Sequence, residues 1–306
     1  MTAEDASWWA ESAAQCMADA RKAGGALSNG GAADFSRSVV STFRYGIPED
    51  MRVWRDSAGG WLWVKYAEQS RVRVRGGFLD AASDIDQWAA FVAEEFSGAK
   101  VSWCTWGEED TLKALVDAIE AKPSSIVLGA PLSSLKTATG ASGAWLRPMG
   151  AGELMRFKVA AANELGVALA ASDELANVDE ARREVFTSIE NELSDGVASP
   201  GHRLYSVCYD GQTVGGAWLE IDSGVAVVRS VVLDSEARGQ GHRRATLIAL
   251  AAAAHMEGAR QMQTTIIPPS NPLAAVLREM GMTTLSTNYT YAPEPALAHM
   301  PALQNA

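Results

Sequence analysis

The sequence VVLDSEARGQGHRR, residues 231–244, decides the fold of its half of the chain. An apolar run enters a turn with two glycines, and an alanine-rich stretch at 245–255 follows. Gly239 and Gly241 have no side chain to keep a ligand away from the backbone, so several N–H groups can converge on one anion. A helix that begins here adds unpaired N–H groups and the positive end of its dipole. The stretch therefore predicts a strand, an anion-binding loop and a helix.

The elements around this loop have a definite order. Three alternating runs precede it, and Asp210-Gly211 between the first two is a hairpin turn signal. After the helix we expect a strand, a second helix capped by Asn271 and ending near Gly281, and a last strand. The predicted strands are 203–209, 214–221, 225–233, 261–267 and 283–291.

The residues R-G-Q-G at 238–241, after the apolar V-V-L of a strand, resemble the acyl-CoA pyrophosphate loop of the GNAT (Gcn5-related) N-acetyltransferase superfamily, written Q/R-x-x-G-x-G/A. Arg238 and Gly241 fit the pattern, and Arg243 stands at its last position, which is Gly or Ala in the family. With the order of elements, the resemblance covers residues 144–292. It implies an α/β (α+β) fold: a mixed, mostly antiparallel twisted sheet flanked by helices.

The resemblance also implies that acetyl-CoA, or another acyl-CoA, is the co-substrate. Backbone groups at the end of the strand would pair with the pantetheine arm, and the loop would hold the diphosphate. Asn271 would either bond the cofactor or only cap its helix. The implied cofactor-binding residues are Val231, Val232, Leu233, Arg238, Gly239, Gln240, Gly241, His242, Arg243, Arg244 and Asn271.

Acyl transfer to an amine requires a neutral amine, a polarised carbonyl and a proton for the departing thiolate. Family members often carry an acid on the strand before the loop, where Arg229 and Ser230 stand here. Glu220 and Asp222 are the nearest carboxylates in sequence, although such residues also serve simply to solvate a hairpin. The family's tyrosine is replaced by Leu277 or Arg278, and aromatic strand residues are more often core than catalyst. The candidate catalytic residues are Glu220, Ser230, Tyr289 and Tyr291.

The chain of 306 residues is long enough for two domains. Before a small-residue linker at 133–143, the first half repeats the order of the second, and the two cap residues Asp110 and Asn271 lie about 160 positions apart. We therefore predict tandem GNAT-like domains at 1–135 and 144–292, with a tail at 293–306. In the first half the predicted strands are 53–54, 61–66, 72–79, 101–106 and 125–128, and the predicted helices are 85–96 and 111–121.

The first half lacks the anion-binding pattern. Where the second half has its basic loop, the first has Gly76-Gly77-Phe78-Leu79-Asp80, followed by Asp84 and Asp86. These acids repel a diphosphate, so we expect a structural or substrate-shaping partner rather than a second catalytic centre. The layout resembles tandem GNAT proteins of the mycothiol synthase type, in which one half has degenerated.

Composition restricts the partners. A net charge of −11 disfavours nucleic acid and anionic membranes. No apolar run is long enough to cross a bilayer, and the three scattered cysteines indicate reduced thiols, so we expect a cytoplasmic protein. The four histidines lack ligand spacing, and no metal is expected. The oligomeric state, monomer or homodimer, stays open.

The leading interpretation is an acyl-CoA-dependent N-acyltransferase that transfers acetyl to a primary amine of a small molecule. The segment 153–195 is rich in acids, which suits a cationic acceptor but equally a solvated helix face. Two alternatives remain open: a non-catalytic acyl-CoA sensor, and a CoA-thioester hydrolase or decarboxylase on the same scaffold.

Overall fold

A computed structural model describes residues 3–23, 29–43, 47–67, 71–107, 110–136, 143–172, 177–268 and 272–293. The helices are α1 (Ala3–Ala23), α2 (Asn29–Thr42), α3 (Ile85–Glu95), α4 (Lys113–Ala118), α5 (Ala151–Ala171), α6 (Val178–Glu192), α7 (His242–Met256) and α8 (Pro272–Glu279). The strands are β1 (Met51–Arg55), β2 (Trp61–Ala67), β3 (Arg71–Phe78), β4 (Lys100–Trp106), β5 (Lys122–Pro131), β6 (Ala144–Pro148), β7 (His202–Tyr209), β8 (Gln212–Asp222), β9 (Val225–Leu233), β10 (Gln261–Ile266) and β11 (Thr283–Tyr291). The chain divides into unit 1, Met1–Ser124 with Leu285–Ala306, and unit 2, Ser125–Thr284.

Unit 2 contains strands in the order β5-β10-β9-β8-β7-β6, and β9–β10 is the parallel pair among these antiparallel neighbours. Because successive strand residues point to opposite faces, each strand feeds two cores. Trp218 and Val232 pack in the core that contains Phe157 of α5. Leu219 and Val231 pack in the core that contains Leu247 of α7. The sheet therefore lies between α5–α6 and α7–α8.

Unit 1 contains strands in the order β1-β2-β3-β4-β11, again with one parallel pair, β3–β4. Helices α3 and α4 contribute Val92 and Leu115 to a core built around Leu62 and Trp103. Helices α1 and α2 belong to a second core, rich in aromatic rings, which contains Trp9, Phe43, Trp61 and Trp63.

The predicted fold class is confirmed, since both units combine a mostly antiparallel sheet with flanking helices. The units nevertheless differ from the predicted ranges 1–135 and 144–292. Strand β5 belongs to unit 2, where Ile126 pairs with Ile266 of β10, and β11 belongs to unit 1, where Tyr289 pairs with Trp103 of β4. The alternation of a strand specifies its two faces and not its neighbours, so the sequence did not reveal this exchange. Helices α1 and α2 were also not predicted.

The cysteines, the helix lengths and the arrangement of metal-ligating side chains in the described residues bear on the remaining predictions. Cys16, Cys104 and Cys208 are free thiols, and burial raises the pKa of Cys104 to about 11. No helix within the described ranges has the length and apolar character needed to cross a membrane. Those ranges also contain no cluster of three or more His, Cys, Asp or Glu side chains placed to hold a metal ion.

The assignment of β5 to unit 2 can be tested by amide hydrogen exchange on the full chain. Leu128 of β5 is fully buried in the core of unit 2, so Leu128→Ala should cost about 2–5 kcal/mol of stability. We expect faster exchange in peptides from β9 and β10 and unchanged exchange in β2 and β3. Leu115→Ala, which removes an equally buried leucine from the core of unit 1, is the matched control and should show the reverse. Equally faster hydrogen exchange in both units of the Leu128→Ala variant would contradict the division of the chain into these two units.

Glu153 fastens the start of α5 to β6. Its carboxylate accepts hydrogen bonds from Arg147 Nη2 at 2.8 Å and Nη1 at 3.0 Å, and from the Gly150 N–H at 2.9 Å. The Arg147 hydrogen bonds, followed by that of the Gly150 amide, lower the pKa of Glu153 to about 2. Both side chains are more than one third exposed, so the stabilisation is modest.

The lowered pKa of Glu153 sets the sign of a pH effect on stability. The stabilisation is present above the carboxyl's unfolded pKa of 4.5 and is lost as the pH falls toward about 2. Glu153→Gln should lower the melting temperature by about 2 °C at pH 7, and this difference should shrink below pH 4.5. Glu184→Gln, which changes an exposed carboxylate on α6, is the control. A difference as large at pH 2 as at pH 7 would mean that Glu153 acts through packing.

Candidate functional site

The parallel pair β9–β10 separates part-way along its length. Pairing runs from Val225 opposite Gln261 to Val228 opposite Thr264 and ends there, although both strands continue. On the other side of β9, the register with β8 shifts so that Arg229 is an extra residue between Val228 and Ser230. Such a bulge bends the strand and increases its twist. The main chain of β9 beyond Val228 therefore faces a gap instead of a neighbouring strand.

A cavity of about 530 Å³ occupies this gap. Its floor is formed by β9 and β10, including Ser230, Val231 and Thr265. One wall comes from α5 and α6, with the apolar side chains Leu165, Leu169, Val185 and Ile189. Arg243 at the start of α7 and Leu273 of α8 complete the lining. A concave, largely apolar site with a few polar groups is the usual form of a small-molecule site.

The glycine loop connects the end of β9 to α7. Gly239 and Gly241 have φ angles of +77° and +79°, a backbone conformation that side chains disfavour, and a Cβ added to either would meet nothing within 4 Å. Helix α7 begins without a side-chain cap, and Ala245 makes the first bond to the Gly241 carbonyl. Among the hydrogen bonds of the described residues, none uses the amides of 239–241. These amides and the helix terminus are open to an anion.

The corresponding helix of unit 1 is closed by its own residues. Asp84 caps α3 and accepts a hydrogen bond from the Gln87 amide at 3.0 Å. Strands β3 and β4 also stop pairing, after Arg73 opposite Ser102, but Met17 of α1 lies in the space beside Gly76. The cavity that remains there is about 190 Å³. Unit 1 therefore shares the short parallel pair and the following helix with unit 2, while the N-terminus of its helix α3 is occupied by a carboxylate.

Several predicted loop residues contact the protein itself. Arg238 Nε donates to the Leu233 carbonyl at 3.1 Å, and Gln240 Nε2 donates to the Glu236 carbonyl at 2.8 Å. The ring of His242 is buried against Tyr209, with 4.0 Å between the ring centroids. These three side chains are therefore engaged within the protein, whereas the amides of 239–241 have no partner among the described residues.

The two arginines that follow His242 form ion pairs in different places. Arg243 Nη2 lies 2.7 Å from Glu164 Oε1 of α5, and both residues line the cavity. Arg244 Nη1 lies 2.9 Å from Glu279 Oε2 of α8, and this carboxylate is 63% exposed. Arg243 therefore brings its charge into the cavity, and Arg244 pairs at the surface.

The cavity contains more carboxylates than the loop pattern indicated. Glu164, Glu184 and Glu192 line it together with Arg229 and Arg243. Arg229 contacts Glu192 directly, and its Nε lies 3.6 Å from Glu220 Oε2. Two of the three lining acids are thus neutralised by arginines. Glu164, which is 79 positions from Arg243, has no sequence signal that identifies it.

The predicted catalytic residues are distributed over both units. Ser230 lines the cavity, while Glu220 is bound by Arg229. Val231 also lines the cavity, Val232 lines a smaller one of about 120 Å³, and Leu233 is buried in the core. Tyr289 and Tyr291 belong to unit 1 and pack against its core, where burial raises the pKa of Tyr291. Asn271 lies outside the described residues.

Comparison with solved structures identifies the fold. A GCN5-related N-acetyltransferase from Sphaerobacter thermophilus matches 91% of this chain and 91% of its own, with a TM-score of 0.57 and 14% identity. A tandem GNAT protein from the clavulanic acid biosynthesis pathway covers 85% of this chain and 89% of its own, with a TM-score of 0.40 and 17% identity. A GNAT-family acetyltransferase from Colwellia psychrerythraea covers 76% and 80%, with a TM-score of 0.45 and 13% identity.

No protein-family model matches the sequence, and no curated protein matches it. The fold assignment therefore rests on the first structural likeness, which spans both units. The resemblance inferred from residues 238–241 and the order of elements is confirmed: the chain has the GNAT fold.

The open N-terminus of α7 can be tested by placing there an aspartate, the residue type that caps α3. Gly241→Asp places a negative charge beside the free amides, whereas Gly241→Asn has nearly the same shape and a similar tolerance of positive φ. We expect the Asp variant to bind inorganic pyrophosphate at least about tenfold more weakly than the Asn variant, as measured by calorimetry. Equal affinities of the two variants would show that the loop is not the anion site.

Proposed function

We propose that unit 2 is an acyl-CoA-dependent N-acyltransferase that transfers acetyl from acetyl-CoA to a primary amine of a small molecule. The observation that carries the proposal is the gap between β9 and β10, with free loop amides at one end and a cavity along it. The GNAT fold of the chain supports it. Fold alone does not determine function, so the argument rests on the site.

The residues present fit an acyl-CoA. The amides of 239–241 and the start of α7 would hold the diphosphate, since they lack protein partners in the described chain and nothing obstructs the space above the two glycines. Arg243 and Arg244 would add positive charge. The main chain of β9 from Arg229 to Val231 has no strand on its β10 side, and the groups that face this side would bond the amides of the pantetheine arm.

The bound acyl-CoA supplies a thioester, and this chain supplies the groups that direct its reaction. A main-chain N–H of β9 at the gap can polarise the carbonyl. The acceptor arrives as an ammonium ion and must lose one proton to a cavity carboxylate or a water before its nitrogen can attack. One C–N bond forms, one C–S bond breaks, and a second proton from the nitrogen ends on the thiolate. Ser230 lines the cavity on the floor of this reaction space.

The walls of the cavity favour an acceptor with an apolar body. Leu165, Leu169, Val185 and Ile189 supply that surface on α5 and α6, and Glu184 is exposed beside them. Such a lining suits a primary amine attached to an apolar group.

Unit 1 would act as a structural or substrate-shaping partner, because α3 is capped by Asp84 and α1 occupies its cleft. The three free cysteines suit a reducing compartment such as the cytoplasm. The net charge of −11 disfavours nucleic acid and anionic membranes as partners. We propose a monomer or homodimer.

A non-catalytic acyl-CoA-binding role is the second candidate. Two observations favour it: Glu220 is engaged by Arg229, and Tyr289 and Tyr291 are packed against the core of unit 1. If no other group removes or supplies a proton, acyl-CoA would bind without turnover.

Binding and thiol release, measured on the full chain, separate these roles. We expect acetyl-CoA to bind in calorimetry and free thiol to appear only when an amine from a panel of polyamines, aryl alkylamines and amino acids is added. Gly241→Asp should abolish both signals. Thiol release without an amine would identify a hydrolase, carbon dioxide release from a carboxyacyl-CoA would identify a decarboxylase, and binding without release of either would identify a sensor. If acetyl-CoA does not bind, the proposed function is wrong.

A further inference from the structure

The position of Arg243 is unusual for a residue at an anion-binding helix start. It is the second residue of α7, immediately after the free amides of the loop, yet its guanidinium is held by Glu164 on α5. Its side chain is 24% exposed and that of Glu164 is 38% exposed, so the pair is only partly screened by solvent. A diphosphate bound at the loop would compete for the same guanidinium.

Glu164 is incompletely satisfied in this pairing. Its Oε1 accepts the bond from Arg243, but Oε2 is buried and no hydrogen-bond donor in the described part of the chain reaches it. A buried carboxylate oxygen without a donor is unfavourable. Because Oε2 is buried, a ligand in the cavity could supply the missing donor only after the carboxylate has turned, which the departure of Arg243 would allow.

The charge balance of the cavity would change if Arg243 left Glu164 for another partner. The cavity is lined by three carboxylates and two arginines, and Arg229 is already committed to Glu192. If Arg243 turned to a diphosphate, Glu164 would become an uncompensated carboxylate beside an apolar wall. A primary ammonium group, with three donors and a positive charge, matches that environment.

We infer that Arg243 exchanges Glu164 for the diphosphate of the co-substrate, and that Glu164 then binds the ammonium group of the acceptor. This inference rests on the proposed function and deepens it. The ion pair masks the acceptor subsite in the free protein, and co-substrate binding unmasks it. Glu164 is the acceptor-binding residue and Arg243 is the residue that both ligands share. The two affinities are therefore coupled, and the coupling must be reciprocal.

The exchange predicts opposite effects for the two partners on co-substrate affinity. Glu164→Gln releases the guanidinium, so acetyl-CoA should bind about three- to tenfold more tightly at low salt. Arg243→Ala removes a charge-assisted contact, so acetyl-CoA should bind about five- to hundredfold more weakly. Both are measured by calorimetry on the full chain. A purely structural ion pair would weaken binding in both variants.

Two controls connect the effect to the cavity and to the phosphates. Glu257→Gln disrupts a comparable surface pair with Arg203, neither residue of which lines the cavity, and should change acetyl-CoA affinity by less than about twofold. Acetyl-pantetheine lacks the diphosphate, so Glu164→Gln should not tighten its binding. Equal tightening of acetyl-CoA and acetyl-pantetheine would show that Glu164 acts on the arm, and unchanged acetyl-CoA affinity in Glu164→Gln would overturn the exchange.

The proposed role of Glu164 in binding the acceptor is tested with an amine that supports thiol release by the wild-type protein. In Glu164→Gln its KM should rise at least about tenfold, while acetyl-CoA affinity increases in the same variant. An unchanged KM would remove Glu164 from the acceptor subsite. If acetyl-CoA binds and Glu164→Gln tightens it, but no amine is acetylated, the exchange stands and the transferase proposal fails.

Discussion

The end of pairing between β9 and β10 is the constraint on which the rest of the site depends. Four residue pairs hold the two strands together, and beyond Val228 the main chain of β9 has no strand on that side. Unpaired backbone groups are tolerated where water or a ligand reaches them, which a cavity of about 530 Å³ allows. Strands β8 and β5 hold β9 and β10 from their outer edges, so the gap does not disrupt the sheet. The fold therefore accommodates a break in its sheet that opens onto a cavity.

A single helix start distinguishes the two units chemically. Both have a parallel pair that stops short, followed by a helix, yet Asp84 satisfies the terminus of α3 and Gly241 leaves that of α7 open. A carboxylate cap satisfies an orphan amide and repels an anion at the same time. The same substitution that stabilises a helix therefore removes its capacity to bind phosphate. Under the proposed function, this difference would explain how unit 1 keeps its fold without an anion site.

The sequence predicted local features and missed global ones. The residues 231–244 predicted a strand, a glycine loop and a helix, and the structure has all three, because these features are specified within a few residues. The alternation at 283–291 likewise indicated a strand. It could not show that β11 joins unit 1 while β5 joins unit 2, since either strand can satisfy its hydrogen bonds at any compatible edge. Asn271, predicted as a cap, lies outside the described residues.

Side-chain pairing over long sequence distances limited the prediction of the site. The acids of 153–195 suggested an attractive field for a cation, but Arg243 and Arg229 neutralise Glu164 and Glu192. What remains in the free protein is an apolar wall with one exposed acid, Glu184. A field of that size attracts an ammonium ion only weakly in salt. In the proposed exchange, selectivity for a cationic acceptor would come from a charge that appears after the co-substrate has taken its arginine, because permanent charge in the cavity is nearly balanced.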